Sequence, residues 1–260
     1  MAQPHRPRKR FGQHFLHDRQ VIDRLARTIA PQAADRVLEI GPGEGVLTRP
    51  LLASRASVTV VELDRDLAST LFDRLGQPLR LHIIQADILQ VDLSTLTGGG
   101  PLRVVGNLPY NISTPILFHL FEHLPSIVDM HFMLQKEVVD RLVAAPGSGD
   151  YGRLSVMAGF YCEMDWLFDV PPGAFRPPPR VMSAIVRLKP KHLSESELAL
   201  RPALDQVVRH AFGQRRKTLR NSLRAVMDET GIIAAGIDPG LRAERLGLDE
   251  FLRLAERVRD

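Results

Sequence analysis

Short apolar runs rich in β-branched residues recur along the chain at residues 36–40, 57–62, 79–85, 102–106, 127–134, 155–161 and 181–188. Runs of this length with turn-forming or charged residues around them predict strands buried in a sheet. Between the early runs, residues 46–54, 67–75 and 115–123 carry apolar positions at helical spacing. Strands that alternate with single helices predict a parallel, doubly wound sheet, because a parallel pair needs a crossover long enough to hold a helix. The last two runs are adjacent in sequence and are expected to form an antiparallel hairpin.

The pattern changes after Lys189-Pro190-Lys191. Residues 198–212, 219–227 and 249–258 have helical spacing, and no strand-like run follows. The expected organisation is a basic arm over residues 1–20, an α/β domain over 21–189 and a small all-helical domain over 190–260. The Gly- and Pro-rich stretches at 98–101 and 145–149 read as loops within the first domain.

Length and composition bound this picture without changing it. With 260 residues, 44% of them hydrophobic and 25% charged, the chain has the make-up of an ordinary globular protein. Its single cysteine, Cys162, excludes an intramolecular disulfide and fits a reducing compartment, with the cytoplasm as the expectation. No apolar stretch approaches the roughly 18 residues needed to span a bilayer, and the first ten residues lack the apolar core of a signal peptide. A monomer that neither enters a membrane nor carries a metal is expected.

Charge does change the picture. The net charge is only +4, but Arg6, Arg8, Lys9 and Arg10 precede the first acid, and Arg209, Arg215, Arg216, Lys217, Arg220 and Arg224 lie in another acid-free run. A solvated tail and a solvated helix face would account for either patch alone. Two patches flanking an α/β domain point to a polyanion, with RNA as the expected partner.

The strand at 36–40 runs directly into Gly41-Pro42-Gly43-Glu44-Gly45, after which a helix opens. Glycines there let backbone approach a ligand without obstruction. Glu62, about 20 residues on at the end of the next strand, can accept both hydroxyls of a ribose. The spacing Gly-x-Gly-x-Gly differs from the Gly-x-Gly-x-x-Gly turn that cradles a dinucleotide pyrophosphate. Glu39 adds an acid suited to a cofactor's amino group, which favours S-adenosylmethionine over NAD. Asp87 ends the third strand and can accept from the cofactor's adenine amine, although an N-cap or turn role is the plainer account of such an aspartate.

Asn107-Leu108-Pro109-Tyr110 follows the strand at 102–106 and so lies at the same carboxyl edge. An exocyclic adenine amine is a poor nucleophile because its lone pair is delocalised into the ring, and acceptors at its two N–H groups favour the tetrahedral form that attacks a methyl group. The Asn107 side-chain oxygen and the Leu108 backbone carbonyl can be those acceptors. Pro109 fixes the turn, and Tyr110 can stack on the base. No strong base is required, so positioning and electrostatics would carry the reaction. An Asn-x-Pro turn with a buried tyrosine is the structural alternative. Phe175, on the proline-rich stretch 171–180, can cover the second face of an extruded adenine or act as a hydrophobic plug.

Two other features have plainer readings. His119-Leu120-Phe121-Glu122-His123 has the spacing of some zinc peptidases but lies on a crossover helix with no evident third ligand. Cys162 lies in an apolar run without a neighbour to activate it as a nucleophile.

Taken in order along nearly the whole chain, these motifs resemble the ribosomal RNA adenine dimethyltransferase family. Arg10-Phe11-Gly12-Gln13-His14-Phe15-Leu16 is similar to that family's N-terminal cofactor lid, with His14 where many members have asparagine. Glu39-Ile40-Gly41-Pro42-Gly43-Glu44-Gly45, Glu62-Leu63-Asp64, Gln85-Ala86-Asp87 and Asn107-Leu108-Pro109-Tyr110-Asn111-Ile112-Ser113 are similar to its other motifs. The resemblance implies a Rossmann-like class I fold dependent on S-adenosylmethionine. It implies cofactor contacts at His14, Leu16, Gly41, Glu62, Asp87 and Asn107, and base stacking by Tyr110 and Phe175. It further implies four methyl transfers to two adjacent adenines in the 3′-terminal hairpin loop of 16S ribosomal RNA within the small subunit, with the helical domain as a docking element. A 23S methylase of the macrolide-resistance type and a noncatalytic assembly factor remain the alternatives.

Overall fold

A computed structural model describes residues 14–98, 100–214 and 216–258. Residues 1–13, which hold the basic run Arg6–Arg10 and the first part of the lid, and Arg215 lie outside the described residues. The chain divides into two compact units, Met1–Val139 with Asp165–Pro190, and Asp140–Met164 with Lys191–Asp260. The second unit thus includes the segment Asp140–Met164, which the expected division had assigned to the α/β domain.

In chain order the elements are β1 (Phe15–Leu16), α1 (Arg19–Ile29), β2 (Arg36–Ile40), α2 (Thr48–Ala53), β3 (Ser57–Glu62), α3 (Arg65–Arg74), β4 (Leu81–Gln85), β5 (Leu102–Asn107), α4 (Ser113–Phe121), β6 (Ile127–Gln135), α5 (Lys136–Leu142) and α6 (Arg153–Tyr161). They continue as β7 (Cys162–Val170), β8 (Phe175–Arg176), β9 (Ser183–Pro190), α7 (Glu195–Gly213), α8 (Leu219–Ser222), α9 (Glu229–Ala234) and α10 (Leu248–Val258).

Seven strands form one sheet in the order β4-β3-β2-β5-β6-β9-β7, and β1 pairs with β8 in a separate two-stranded ribbon. From β4 to β6 the pairings are parallel, and β9 lies antiparallel to β6. The order reverses direction between β2 and β5, and it is outside the carboxyl ends of strands at such a point that ligands settle in open α/β sheets. β2 and β5 approach closely because residue 106 is glycine: a Cβ there would stand 2.7 Å from the Ile40 carbonyl oxygen. The core behind the site includes Leu25, Val37, Leu51, Val58, Val105 and Met133.

The expected seven-stranded, mostly parallel sheet is present, with one strand misassigned. Residues 155–161 are helix α6 rather than a strand, so the expected hairpin with 181–188 does not form. The run is apolar because the helix is buried on several sides (Val156, Met157, Ala158, Phe160 and Tyr161 are all buried), and a helix without a polar face carries no 3.6-residue signature. The strand beside β9 is instead β7, whose acids Glu163, Asp165 and Asp169 weaken its strand signal. Such charges suit a sheet edge, where they discourage pairing with another chain.

In the second unit α7 begins with a capping box: Ser194 N–H donates to Glu197 Oε2 at 2.8 Å, and Glu197 N–H donates back to Ser194 Oγ at 3.3 Å. α7 and α10 pack through Leu204, Val207, Val208, Phe251 and Leu254. The Phe212 ring lies 5.7 Å from Phe251 and 6.0 Å from Tyr151. The helix expected over 219–227 is confined to Leu219–Ser222.

Candidate functional site

A cavity of about 370 Å³ opens where β2, β3, β4 and β5 end. Its volume is in the range of small-molecule sites. His14, Leu16, Gly41, Glu62, Asp87, Asn107, Leu108, Pro109 and Tyr110 all line it, so nine of the ten site residues expected from sequence converge.

The glycine-rich turn forms the floor. Gly41, Gly43 and Gly45 have φ values of 65°, 56° and 78°, in the left-handed region open to glycine at no steric cost. At Gly45 a Cβ would also stand 2.8 Å from a Leu71 methyl group. Gly41 N–H donates to the Val61 carbonyl and Gly45 N–H to the Pro42 carbonyl, both at 2.9 Å, which fixes the turn against β3.

Glu62 accepts from Asp64 N–H at 2.8 Å through Oε1 and from Gly43 N–H at 3.2 Å through Oε2. Those bonds orient the carboxylate, and each oxygen keeps capacity for a further donor. Burial raises its pKa, and the two backbone donors oppose that shift. Glu39, also buried on the cavity wall, accepts from Thr48 Oγ at 2.6 Å. Burial pushes Glu39 up to about 7, with the nearby Glu62 charge adding to the rise and Thr48 opposing it. Two confined carboxylates favour a ligand that carries positive charge and donors. Asp87 caps a short 3₁₀ turn by accepting Leu89 N–H at 3.0 Å and also faces the cavity, so the capping role and the binding role coexist in one side chain.

At the other end, Asn107 Nδ2 donates to the His14 backbone carbonyl at 2.9 Å, and no described residue donates to its Oδ1. The amide is thereby turned to offer its oxygen as an acceptor. Leu108 N–H donates to the Met133 carbonyl at 3.2 Å, which ties the motif to β6. The Tyr110 hydroxyl shares a hydrogen bond with Ser183 Oγ, anchoring the far edge of the ring, and burial raises the phenol pKa.

His14 Nδ1 lies 2.7 Å from the Pro177 carbonyl oxygen. A carbonyl only accepts, so Nδ1 is the donor in this bond. The imidazole stacks on Tyr110 with centroids 5.5 Å apart and planes 26° apart. Phe175 is the tenth expected residue, and it is not brought to the cavity. Its ring is 1% exposed and packs in the core with Leu16, its partner across the β1–β8 ribbon. The hydrophobic-plug role fits that position, and the ring facing Tyr110 is the imidazole of His14.

Sequence reasoning missed Thr48, Ser183 and Pro177. Thr48 opens α2 nine residues after Glu39, a spacing that could have suggested it; Ser183 and Pro177 reach the site only through tertiary pairing. Elsewhere, His119 Nε2 donates to the Val91 carbonyl at 3.0 Å, and no cluster of three His, Cys, Asp or Glu side chains suited to a metal occurs among the described residues. Burial pushes the Cys162 thiol up to about 12, away from the reactive thiolate.

Comparison with known proteins adds an independent line. Residues 4–260 match the family described as ribosomal RNA adenine dimethylase. The chain is 54% identical to "Ribosomal RNA small subunit methyltransferase A" of Methylococcus capsulatus, covering 98% of each protein. It is likewise 54% identical to the protein of that name in Pseudomonas aeruginosa, covering 98% of this chain and 95% of the relative. Among solved structures, a dimethyladenosine transferase from Plasmodium falciparum superposes with a TM-score of 0.77 at 26% identity over 93% of this chain and 96% of the other. The 23S rRNA methyltransferase ErmE gives 0.69 at 32% identity over 95% and 100%.

Proposed function

Since the chain belongs to the ribosomal RNA adenine dimethylase family, we infer that it uses S-adenosylmethionine to dimethylate the N6 amines of two adjacent adenines in the 3′-terminal hairpin loop of 16S ribosomal RNA. The observation that carries this reading is the meeting, in one cavity, of a cation-favouring pair of buried carboxylates with an asparagine whose amide oxygen is held open beside a fixed aromatic ring. The enzyme acts in the cytoplasm, as a monomer, on the small subunit during its assembly. No helix among the described residues is long and apolar enough to cross a membrane.

The residues present fit the cofactor. Glu62 would hold the ribose hydroxyls, Asp87 the adenine amine and Glu39 the amino-acid end, the bare backbone of Gly41 and the Leu16 side chain would close around it, and His14 would contribute from the lid. When bound, S-adenosylmethionine supplies an electrophilic methyl group on a sulfonium. Asn107 Oδ1 and the Leu108 carbonyl accept from the two N–H bonds of the target amine and favour its pyramidal form. Tyr110, held at its hydroxyl by Ser183, supports one face of the base, and Pro109 keeps the turn from presenting a competing donor. The methylated amine is acidic enough to lose its proton to water, so no base is needed within the site.

Single-stranded loops suit this chemistry because their bases can be splayed out at small cost. Labelled S-adenosylmethionine incubated with 30S particles lacking the modification should yield dimethyladenosine in the 16S RNA. Label appearing instead in 23S RNA would assign the activity shown by the name of ErmE, and cofactor binding without transfer would assign an assembly factor.

A further inference from the structure

The proline-rich stretch after Phe175 contributes no stacking ring, yet it borders the cavity at both ends. At one end Arg176 pairs with Phe15 in the β1–β8 ribbon, and the Pro177 carbonyl accepts from His14. At the other, the Met182 carbonyl accepts from Lys136 N–H at 2.9 Å, and Ser183 holds the Tyr110 hydroxyl. The chain from 176 to 182 therefore links His14 to Tyr110, two residues that line the cavity.

Its chemistry is unlike that of the walls. Arg176 and Arg180 are exposed, with Pro177, Pro178 and Pro179 between them, and neither guanidinium has an ion-pair or hydrogen-bond partner among the described residues. Several arginines of this unit are engaged, Arg74 with Glu44, Arg103 with Asp35 and Asp129, and Arg187 with Asp165, whereas Arg176 and Arg180 lie on the segment that joins His14 to Tyr110. Val181 and Met182 next to them are 43% and 38% exposed. Three consecutive prolines limit the chain entropy lost when such a segment is gripped by a partner. A planar guanidinium matches the two oxygens of a phosphodiester.

We propose that Arg176 and Arg180 clamp the phosphodiesters on either side of the target adenosine, with Val181 and Met182 as an apolar seat for a neighbouring base. The clamp belongs to the unit that holds the cavity and is separate from the basic run between Arg209 and Arg224. It rests on the assignment of the cavity to RNA methylation.

The test is kcat/KM for methyl transfer to unmodified 30S particles over a range of salt concentrations. It compares the native enzyme, R176A/R180A and R176K/R180K, with S-adenosylmethionine affinity measured by calorimetry on each. Loss of two phosphate contacts should lower kcat/KM on the order of tenfold and flatten the slope of log(kcat/KM) against log[salt] by about 1.4, given about 0.7 per single-stranded phosphate contact. Cofactor affinity should be unchanged, and the lysine pair should keep the native slope. A native enzyme that forms no dimethyladenosine would overturn the functional assignment. An active native enzyme whose alanine variant keeps the native slope overturns the clamp alone, as does a variant whose cofactor affinity falls in step with its activity.

Discussion

The same strands carry opposite electrostatic designs at their two ends. At the amino ends, Arg103 of β5 reaches Asp129 of β6 at 2.7 Å and Asp35, just before β2, at 2.9 Å. At the carboxyl ends, Glu39 of β2 and Glu62 of β3 are buried side by side with no cation paired to either among the described residues. One edge neutralises its charges within the fold. The other leaves carboxylates to be neutralised by whatever binds, so stability is surrendered where a cationic cofactor can restore it.

The largest effect should come at the carboxyl edge. Asn107→Ala removes an acceptor needed only as the amine pyramidalises, and single-turnover methyl transfer should fall about 10²- to 10³-fold, by analogy with the loss of one oxyanion-hole donor. Particle binding, followed by co-sedimentation, should survive. If both vanish together, the separation of chemistry from docking is wrong.

Glu39→Gln should stabilise the cofactor-free protein. Because the folded-state pKa of Glu39 is raised to about 7, the native fold holds a proton that the unfolded chain has released, and native stability falls as pH rises from about 4.5 to about 7. Replacement should add about 3 kcal/mol at pH 8 and almost nothing below pH 4.5, as read by urea unfolding. Affinity for S-adenosylmethionine should move the opposite way and weaken. A variant no more stable than the native protein at pH 8 would mean that Glu39 is not strained by burial.

At the amino edge, Arg103→Met strands two mostly buried aspartates and should cost about 2–3 kcal/mol in urea unfolding, below the full penalty because solvent still reaches part of the network. Chemistry at the cavity should persist in the folded fraction. A variant that kept native stability while losing methyl transfer would reverse the contrast between the edges.

The smallest effect is a pH dependence. His131, buried in β6 with Nδ1 unpartnered and 3.9 Å from Asp129, is pushed down to about 4 chiefly by burial. Its contribution to stability is present above about 6.5 and lost as pH falls toward 4, with about 1.4 kcal/mol lost by pH 5.5. Between pH 4.5 and 6.5 this slope opposes that of Glu39, so native stability should be nearly flat there, while the Glu39→Gln protein should gain stability as pH rises. The paired unfolding curves test both assignments at once.

What could be read from the sequence was whatever local order determines. A strand followed at once by Gly41, or by Asn107, places those residues at the carboxyl edge whatever else the chain does, and Glu62 follows from the same register. What could not be read depends on long-range pairing. The orientation of the Asn107 amide is set by the His14 carbonyl, 93 residues away. The Tyr110 ring is held by Ser183, 73 residues on. Phe175 reads from sequence as a loop residue, but it stands in β8, and its pairing with Leu16 decides that the ring turns inward. The exchange of strand for helix at 155–161 has a different origin, since complete burial erases the periodicity that distinguishes them.

One wall of the cavity is β1, whose pairing with β8 is only two residues long. The β1–β8 pairing is supplemented by His17 and Asp18 N–H groups donating to the Ala174 carbonyl and by the His14–Pro177 bond. Those bonds are worth about 1 kcal/mol each net, but parting the ribbon would also expose the buried Leu16 and Phe175 side chains, at about 1.5–3 kcal/mol apiece. A wall so thin in backbone is therefore fastened by two side chains, Leu16 at 3% exposure and Phe175 at 1%, and its integrity is set by their packing.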